Sequence, residues 1–548
     1  MSRRPRVLTP KGWLEGTEER GVQIFRGIPF AASTAGEGRF REPEAIEPWP
    51  GTRDASRFGQ AALQGPGSSG PLARWSPVPR AGAGEDCLNL NVWTPAVDKG
   101  RRPVLVWIHG GGFSHGSGSF HLYAGDRLAK RGDTVVVTFN YRLGVFGGLD
   151  LRSLGAGSRV QTNLGLRDQI AALGWVRANI EAFGGDPENV TVFGQSAGAM
   201  SAATLMACPD AKGLFHRGIL QSGAGDNVLD KSQARRVAEV LVGQLGLDPA
   251  RSDLTQALRA LDSGTLLDAQ LKMGSGHGLP LGTLAWQPVV DNDLVPDLPR
   301  PRFELGQAME VPLLIGTNLD EWKMFTATDK RRRTLDRKTL KKYLVQTFGG
   351  RDEHSDDGVR LARIRADEAL SLYEFSPDGG RRSPAEMWAS IQTDRVFHYP
   401  AVRLAAAHTS RGAPTWFYRF DWKPPLAPNR VGACHALELA FVFGTLKTPW
   451  LRPLFGMSSE AVALSDRMQA AWLSFARTGE PNSEGDADWS RYESGNGKAT
   501  LLGGSHPAQD VPDPGREQFW NEVDAGQGTA APRDPESGQL NAHLPGRV

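Results

Sequence analysis

Cysteine is scarce in this chain: only Cys87, Cys208 and Cys434 occur, far apart, among 548 residues. An odd, low count speaks against a secreted domain stapled by disulfides, and the absence of any C-x-x-C pair removes the usual zinc and thiol-redox signatures. Long apolar runs are also missing. No stretch approaches the roughly 18 apolar residues of a membrane helix. The basic start, Met1-Ser2-Arg3-Arg4-Pro5-Arg6, runs into Val7-Leu8-Thr9-Pro10-Lys11 rather than the apolar core of a signal peptide. An excess of one charge is lacking too: 63 basic and 61 acidic side chains leave a formal net charge of +2. Nothing in that balance draws the chain toward nucleic acid or an anionic membrane. The expectation is a cytoplasmic protein that meets small molecules through a local surface. It needs neither nucleic acid nor membrane as partner, and a monomer is favoured.

What is present is a sizeable core. At 40% hydrophobic and 23% charged residues the composition is that of a globular protein. Trp13 to Gly16 and Val22 to Arg26 read as short strands, with Gly27-Ile28-Pro29-Phe30 as a turn. Residues 60–84, rich in Gly, Pro, Ser and Ala, read as a loop. Leu88 to Val92 alternates apolar residues with Asn, the pattern of a half-buried strand. Val104 to Ile108, Thr134 to Phe139 and Val190 to Phe193 are continuous apolar runs, suited to strands buried on both faces. Between the last two, Leu166, Ile170, Leu173, Val176 and Ile180 recur at helical spacing, and Gly184-Gly185-Asp186-Pro187 closes that helix. Strand, helix, strand is the grammar of a doubly wound α/β sheet. Ser252 to Lys272 and Arg337 to Leu372 look like helical insertions that cap it, and Ser465 to Arg477 a late helix. One large domain over 1–523 is expected, followed by a flexible tail over 524–548 with little to bury.

The chemistry centres on Gly194-Gln195-Ser196-Ala197-Gly198. An apolar strand enters this pentapeptide and a helical stretch, Ala199 to Met206, leaves it. That context marks a nucleophile elbow, a turn so tight that the serine hydroxyl projects above the sheet. The alternative is a strand-to-helix turn with an inert serine. A hydroxyl attacking a carbonyl needs donors for the oxyanion and a base for the proton. Strand 104–108 ends in His109-Gly110-Gly111-Gly112-Phe113, whose bare backbone can approach a substrate. Gly111, Gly112 and Ala197 are the expected oxyanion donors. A phosphate loop is excluded because no Gly-Lys-Ser/Thr follows. The base should lie downstream, after the acid. His216, His277, His354, His398, His408, His435 and His506 qualify, and pattern alone does not rank them.

These motifs, taken together, resemble the type-B carboxylesterase (carboxylesterase/cholinesterase) family, most closely its bacterial para-nitrobenzyl esterase branch. The likeness runs from Gly27 to about Trp520. It is carried by Glu85-Asp86-Cys87-Leu88-Asn89-Leu90-Asn91-Val92, the glycine loop, Asn140-Tyr141-Arg142-Leu143-Gly144, Asn163 to Gln169, Phe183 to Pro187, the elbow and Gln221-Ser222-Gly223. The resemblance implies an α/β-hydrolase fold: a central, mostly parallel sheet flanked by helices, with helical cap insertions. It implies a serine ester hydrolase acting on small to medium apolar or aryl esters through an acyl-enzyme, with no cofactor and no metal. It also names two residues that spacing does not. Gly316-Thr317-Asn318-Leu319-Asp320-Glu321 matches the acid motif, making Glu321 the triad acid with Asp320 as competitor. Gly432-Ala433-Cys434-His435-Ala436-Leu437-Glu438-Leu439 matches the base motif, making His435 the general base.

The chain departs from the family at Gln195, where glutamate is usual, which removes a negative charge beside the nucleophile. Cys87 matches a cysteine that often pairs with an upstream partner, and no cysteine precedes it here. Trp75 stands near a cation-binding tryptophan of cholinesterases, although Arg74 and Arg80 would repel a cation, and a packing role is the alternative. Phe113, Trp322 and Phe397 are candidates for an apolar substrate pocket and equally suit a core. His109 is expected to support the glycine loop, and Ser222 to hydrogen-bond near the triad. Lys330-Arg331-Arg332-Arg333 is the densest basic run, read as a solvated surface segment.

Overall fold

The protein was described from a computed structural model. It describes residues 4–65, 81–155, 160–273, 284–328, 330–349, 356–377, 379–425, 428–448, 451–455, 458–482, 489–493, 497–503, 509–510 and 513–526. Trp75, Arg74, Arg80 and the tail beyond residue 526 lie outside the described residues. The chain divides into two compact units, one over residues 1–334 and 388–511, the other over 335–387 and 512–548.

The first unit is built on an 11-stranded sheet. In chain order its strands are β1 (Thr17–Glu19), β2 (Val22–Pro29), β3 (Asn89–Thr94), β4 (Arg102–Ile108), β5 (Val135–Phe139), β6 (Gly185–Gln195), β7 (Arg217–Gln221), β8 (Leu313–Asn318), β9 (Thr415–Phe420), β10 (Lys498–Leu502) and β11 (Gln509–Asp510). Their spatial order is β11-β10-β9-β8-β7-β6-β4-β5-β3-β2-β1. From β5 through β4 to β10 neighbours run parallel. The flanks, β5–β3, β3–β2, β2–β1 and β10–β11, are antiparallel. The expected central, mostly parallel sheet is therefore present. β4, β5 and β6 are the three apolar runs, and the side chains of β5 are buried without exception. Such strands carry no polar face because helices cover both sides of a parallel sheet. The helix expected after Leu166 is α1 (Leu164–Asn179), and the elbow leads into α2 (Ala197–Met206).

Three expectations need correction. Leu88 to Val92 is not half-buried: every residue of β3 is buried. Its asparagines are satisfied from within. Asn91 Nδ2 donates to Thr138 Oγ1 at 3.0 Å and Asn91 Oδ1 accepts from Gly27 N at 3.0 Å. Asn89 Nδ2 donates to the carbonyls of Gln60 and Cys87. A buried amide costs little once its bonds are made, so alternation of polarity does not here mean alternation of exposure. Gly27 to Phe30 is not a turn either. β2 runs to Pro29, with its register broken between Phe25 and Ile28 as at a β-bulge, and Gly27 takes φ 66° there. At the ends of the expected loop 60–84, Ala61–Ala62 and Ala83–Gly84 pair as a short parallel ribbon.

Ser252 to Lys272 is two helices, Leu254–Ala260 and Ser263–Met273. The late helix spans Ser459–Thr478, with Ser458 Oγ accepting from Ala461 N as its N-cap. In the second unit, Arg337–Gly349 and Asp356–Leu372 are helical, joined by Pro514–Gly526, which takes in the first residues of the expected tail. Phe348 packs on Phe519 and Trp520, and Trp520 Nε1 donates to the Tyr373 hydroxyl at 2.8 Å. Lys330–Arg333 forms a short helical turn. Among the described residues no helix is long and apolar enough to cross a membrane.

Candidate active site

Ser196 stands at the carboxyl end of β6, between that strand and α2. Its backbone takes φ 56° and ψ −128°, a strained conformation for a residue with a side chain. The strain is imposed by packing. A Cβ on Gly194 would stand 2.5 Å from the Gly198 carbonyl carbon, and one on Gly198 would stand 2.0 Å from the Ile108 oxygen. Strand, helix and the neighbouring strand are thus pressed together at the two glycines. Ser196 N donates to Gln221 O at 2.9 Å, which ties the elbow to β7.

The loop after β4 folds onto this turn. A Cβ on Gly110 would lie 2.6 Å from the Gln195 oxygen and 3.1 Å from Ser196 Cβ. Gly111 and Gly112 follow with φ 123° and 61°, values that side chains resist. Gly111 is exposed and Gly112 half-buried, between the buried Gly110 and Phe113. A Cβ on Gly112 would meet only Leu284, at 3.7 Å. Ala197 opens α2, where amides have no partner within the helix and the helix dipole is positive. The glycine loop and the elbow thus meet at one serine, from two segments that sequence separates by more than eighty residues.

His109 anchors the loop from beneath. Its Nδ1 lies 2.9 Å from Gly110 O, its ring stacks on Tyr141 at 4.4 Å, and the Tyr141 hydroxyl donates to His109 O at 2.8 Å. Burial pushes this imidazole down to about 4, so it stays neutral at physiological pH. It is suited to support and not to acid–base exchange.

Glu321 and His435 meet on the same edge of the sheet. Glu321, fully buried in the turn after β8, faces His435 with Oε2 2.6 Å from Nδ1. Its Oε1 accepts from Asn318 N at 2.7 Å. Asp320, the competing acid, turns elsewhere: its carboxylate pairs with Lys323 at 2.9 Å and accepts from Ala433 N at 3.1 Å. Among the described residues the Ser196 hydroxyl, half-buried, has no hydrogen-bond partner.

The three aromatics lie here as well. Phe397, on a π-helical turn spanning Asp394–His398, packs against His435 at 4.7 Å, and Trp322 is 6.2 Å from Phe397. Phe113, at φ 60°, belongs to the same apolar cluster, which also holds Ala197 and Leu284.

Sequence reasoning missed two neighbours, Phe325 and Glu438, and did not place the side chain of Gln195 against His435. Phe325 lies 5.4 Å from His435. Gln195 places its amide nitrogen 3.0 Å from His435 Nε2. Glu438 is a second buried carboxyl behind the site. Burial, and next the charge of Glu321, push it up to about 7, against the pull of its bond from Asn318. It accepts from Asn318 Nδ2 at 2.7 Å and Gln221 Nε2 at 3.2 Å, while Gln221 Oε1 accepts from Trp472 Nε1 at 3.0 Å. Glu438 follows His435 by three residues within the recognised motif. Ser222, at φ 54°, is fully buried with its hydroxyl unpartnered among the described residues. No group of metal-binding side chains occurs among the described residues.

Comparison with known proteins bears on this geometry. The model of the carboxylesterase family matches residues 3–520. The para-nitrobenzyl esterase of Bacillus subtilis is 38% identical over 515 residues, covering 93% of this chain and 97% of that protein. The phenmedipham hydrolase of Pseudarthrobacter oxydans is 35% identical, covering 94% of this chain and 98% of its own. The crystal structure of a carboxylesterase from Geobacillus stearothermophilus superposes with a TM-score of 0.79 at 38% identity, covering 94% of this chain and all of the other. A match that spans nearly the whole length, on an α/β-hydrolase sheet with these residues at its carboxyl edge, leads to one conclusion: the chain belongs to the carboxylesterase family.

Proposed function

We propose that this carboxylic ester hydrolase works through an acyl-enzyme on Ser196, with His435 as general base and Glu321 as the acid that orients it. His435 Nε2 takes the Ser196 proton as Oγ attacks the ester carbonyl. The oxyanion that develops is held by the N–H groups of Gly111, Gly112 and Ala197, each such donor contributing about 2.7–4 kcal/mol to the transition state. The imidazolium returns its proton to the leaving alkoxide, and the alcohol departs. Water then attacks the acyl-enzyme with His435 again as base, releasing the acid. Glu321 accepts from Nδ1 throughout, fixing the tautomer that leaves Nε2 free. The observation that carries this reading is the 2.6 Å bond between Glu321 and His435.

The substrates this site favours are small to medium apolar or aryl esters, with Phe113, Trp322 and Phe397 against the apolar part. The name of the para-nitrobenzyl esterase relative, whose ester carries an aromatic ring, supports an aryl preference. A cytoplasmic, reducing setting fits three buried, free thiols. The test is a panel of para-nitrophenyl esters of rising acyl length, set against alkyl esters of the same acids. Higher kcat/KM on the aryl series is expected. Indifference to the alcohol would contradict the aryl preference.

A further inference from the structure

The side chain of Gln195 meets His435 Nε2, and its placement is unusual for a bystander. Its amide nitrogen lies 3.0 Å from Nε2 and 3.4 Å from Nδ1 of the same ring. A donor lying in the ring plane on the Nε2 lone pair would be far out of reach of Nδ1. The Nδ1 edge is already taken by Glu321 at 2.6 Å. Proximity to both nitrogens therefore sets the amide over the imidazole face. Phe397 at 4.7 Å, tilted by 38°, and Phe325 at 5.4 Å, tilted by 41°, cover more of the ring. Ser196 must engage the Nε2 edge. Gln195 itself cannot move far. It is 3% exposed, it ends β6 in register with Gln221, and Gly110 presses on its carbonyl.

We propose that Gln195 is a positioning residue that grips the face of the catalytic imidazole with a neutral amide and so keeps His435 uncharged and available as a base in the free enzyme. This rests on His435 being the general base. The chemistry is electrostatic. An N–H over the ring favours the electron-rich neutral imidazole. A carboxylate at this position would favour the cation alone. The ionisable groups already around the ring are carboxyls, Glu321 after β8 and Glu438 three residues beyond His435. Cys434 beside it and Tyr418 on β9 are held neutral by burial, and Asp320 turns to Lys323. A third carboxyl would trap the imidazole as its cation in mildly acid solution. A neutral residue at position 195 widens the working range toward acid.

The test compares kcat/KM for para-nitrophenyl acetate from pH 5 to 9 in the wild type, Gln195→Glu, Gln195→Met and His435→Ala. The pH of half-maximal kcat/KM on the acid side is expected to rise in Gln195→Glu, so that its activity at pH 6, relative to its own plateau, falls at least threefold below the wild type. Gln195→Met, of similar volume but without the amide, is expected to move that half-point in the same direction by less. Normalising to the plateau removes any general loss of activity, which a merely structural role would produce. Coincident normalised profiles for the three would overturn the proposal. If the Glu variant does not fold, the Met variant decides alone: a profile coincident with the wild type overturns the grip. His435→Ala keeping wild-type activity would instead overturn the general-base reading.

Discussion

At the scale of single residues, what distinguishes this site is how much charge is managed out of water. Glu321 is satisfied by Asn318 N and His435, and Glu438 lies behind it with two donors of its own. Glu438 carries a consequence for stability. In the unfolded chain its carboxyl has an ordinary value near 4.5; in the fold it is pushed up to about 7. The folded state thus binds the proton more tightly, so stability falls as pH rises from about 4.5 through about 7. In Glu438→Gln that loss is absent. The urea midpoint of the wild type is expected to drop relative to the variant between pH 5 and pH 8, and parallel midpoints would contradict it. Glu321→Gln is a different experiment. The imidazolium would lose its stabilising charge, and kcat is expected to fall by about three to four orders of magnitude with little change in KM.

The proposed triad shows where sequence reading ends at this scale. Ser196 was legible from its own neighbours, because an elbow is a local structure. Glu321 and His435 are 114 residues apart, and they meet only because β8 and the 432–438 segment close on one sheet edge. No local period announces such a contact, so resemblance had to supply both. Glu438 escaped notice because a glutamate three residues from a histidine reads as an ordinary charged residue until its burial is known.

At the scale of elements, the elbow is held by backbone against backbone. A methyl at position 198 would meet the Ile108 oxygen at 2.0 Å, and no side chain can yield to relieve it. Gly198→Ala is expected to cost more than about 2 kcal/mol in denaturant unfolding and to abolish activity together with stability. A second brace lies one loop away. Arg142 meets Asp168 of α1 through Nε at 2.8 Å and Nη2 at 2.7 Å, both side chains almost wholly buried. Asp168→Asn would leave the guanidinium unpaired, an expected loss of about 3–5 kcal/mol measurable by the same unfolding. The β/α rhythm itself was readable, since strands covered on both faces are written as unbroken apolar runs. The strand 89–94 was readable as a strand but not for its burial. Its asparagines look like a solvent face and are instead bonded to Thr138, Gly27 and the carbonyls around them.

At the scale of the whole molecule, stability comes without covalent ties. Cys87, Cys208 and Cys434 are free and buried, and burial raises each thiol well above its ordinary value. Native protein is expected to react negligibly with a thiol reagent at neutral pH, whereas the protein unfolded in guanidinium yields three equivalents. Reducing agents should leave the melting midpoint unchanged. Composition foretold a protein without disulfides, but the second compact unit, 335–387 with 512–548, was not legible. Its parts are distant in sequence, and helices carry no mark of the partner they pack on.

The central claim is that Ser196 is the nucleophile. The most direct measurement is intact and peptide mass spectrometry after exposure to a para-nitrophenyl phosphonate, in the wild type and in Ser196→Ala. The account expects one phosphonyl adduct on the peptide bearing Ser196, none in the variant, and esterase activity lost in step with labelling. An adduct elsewhere, or esterase activity retained by Ser196→Ala, would contradict it.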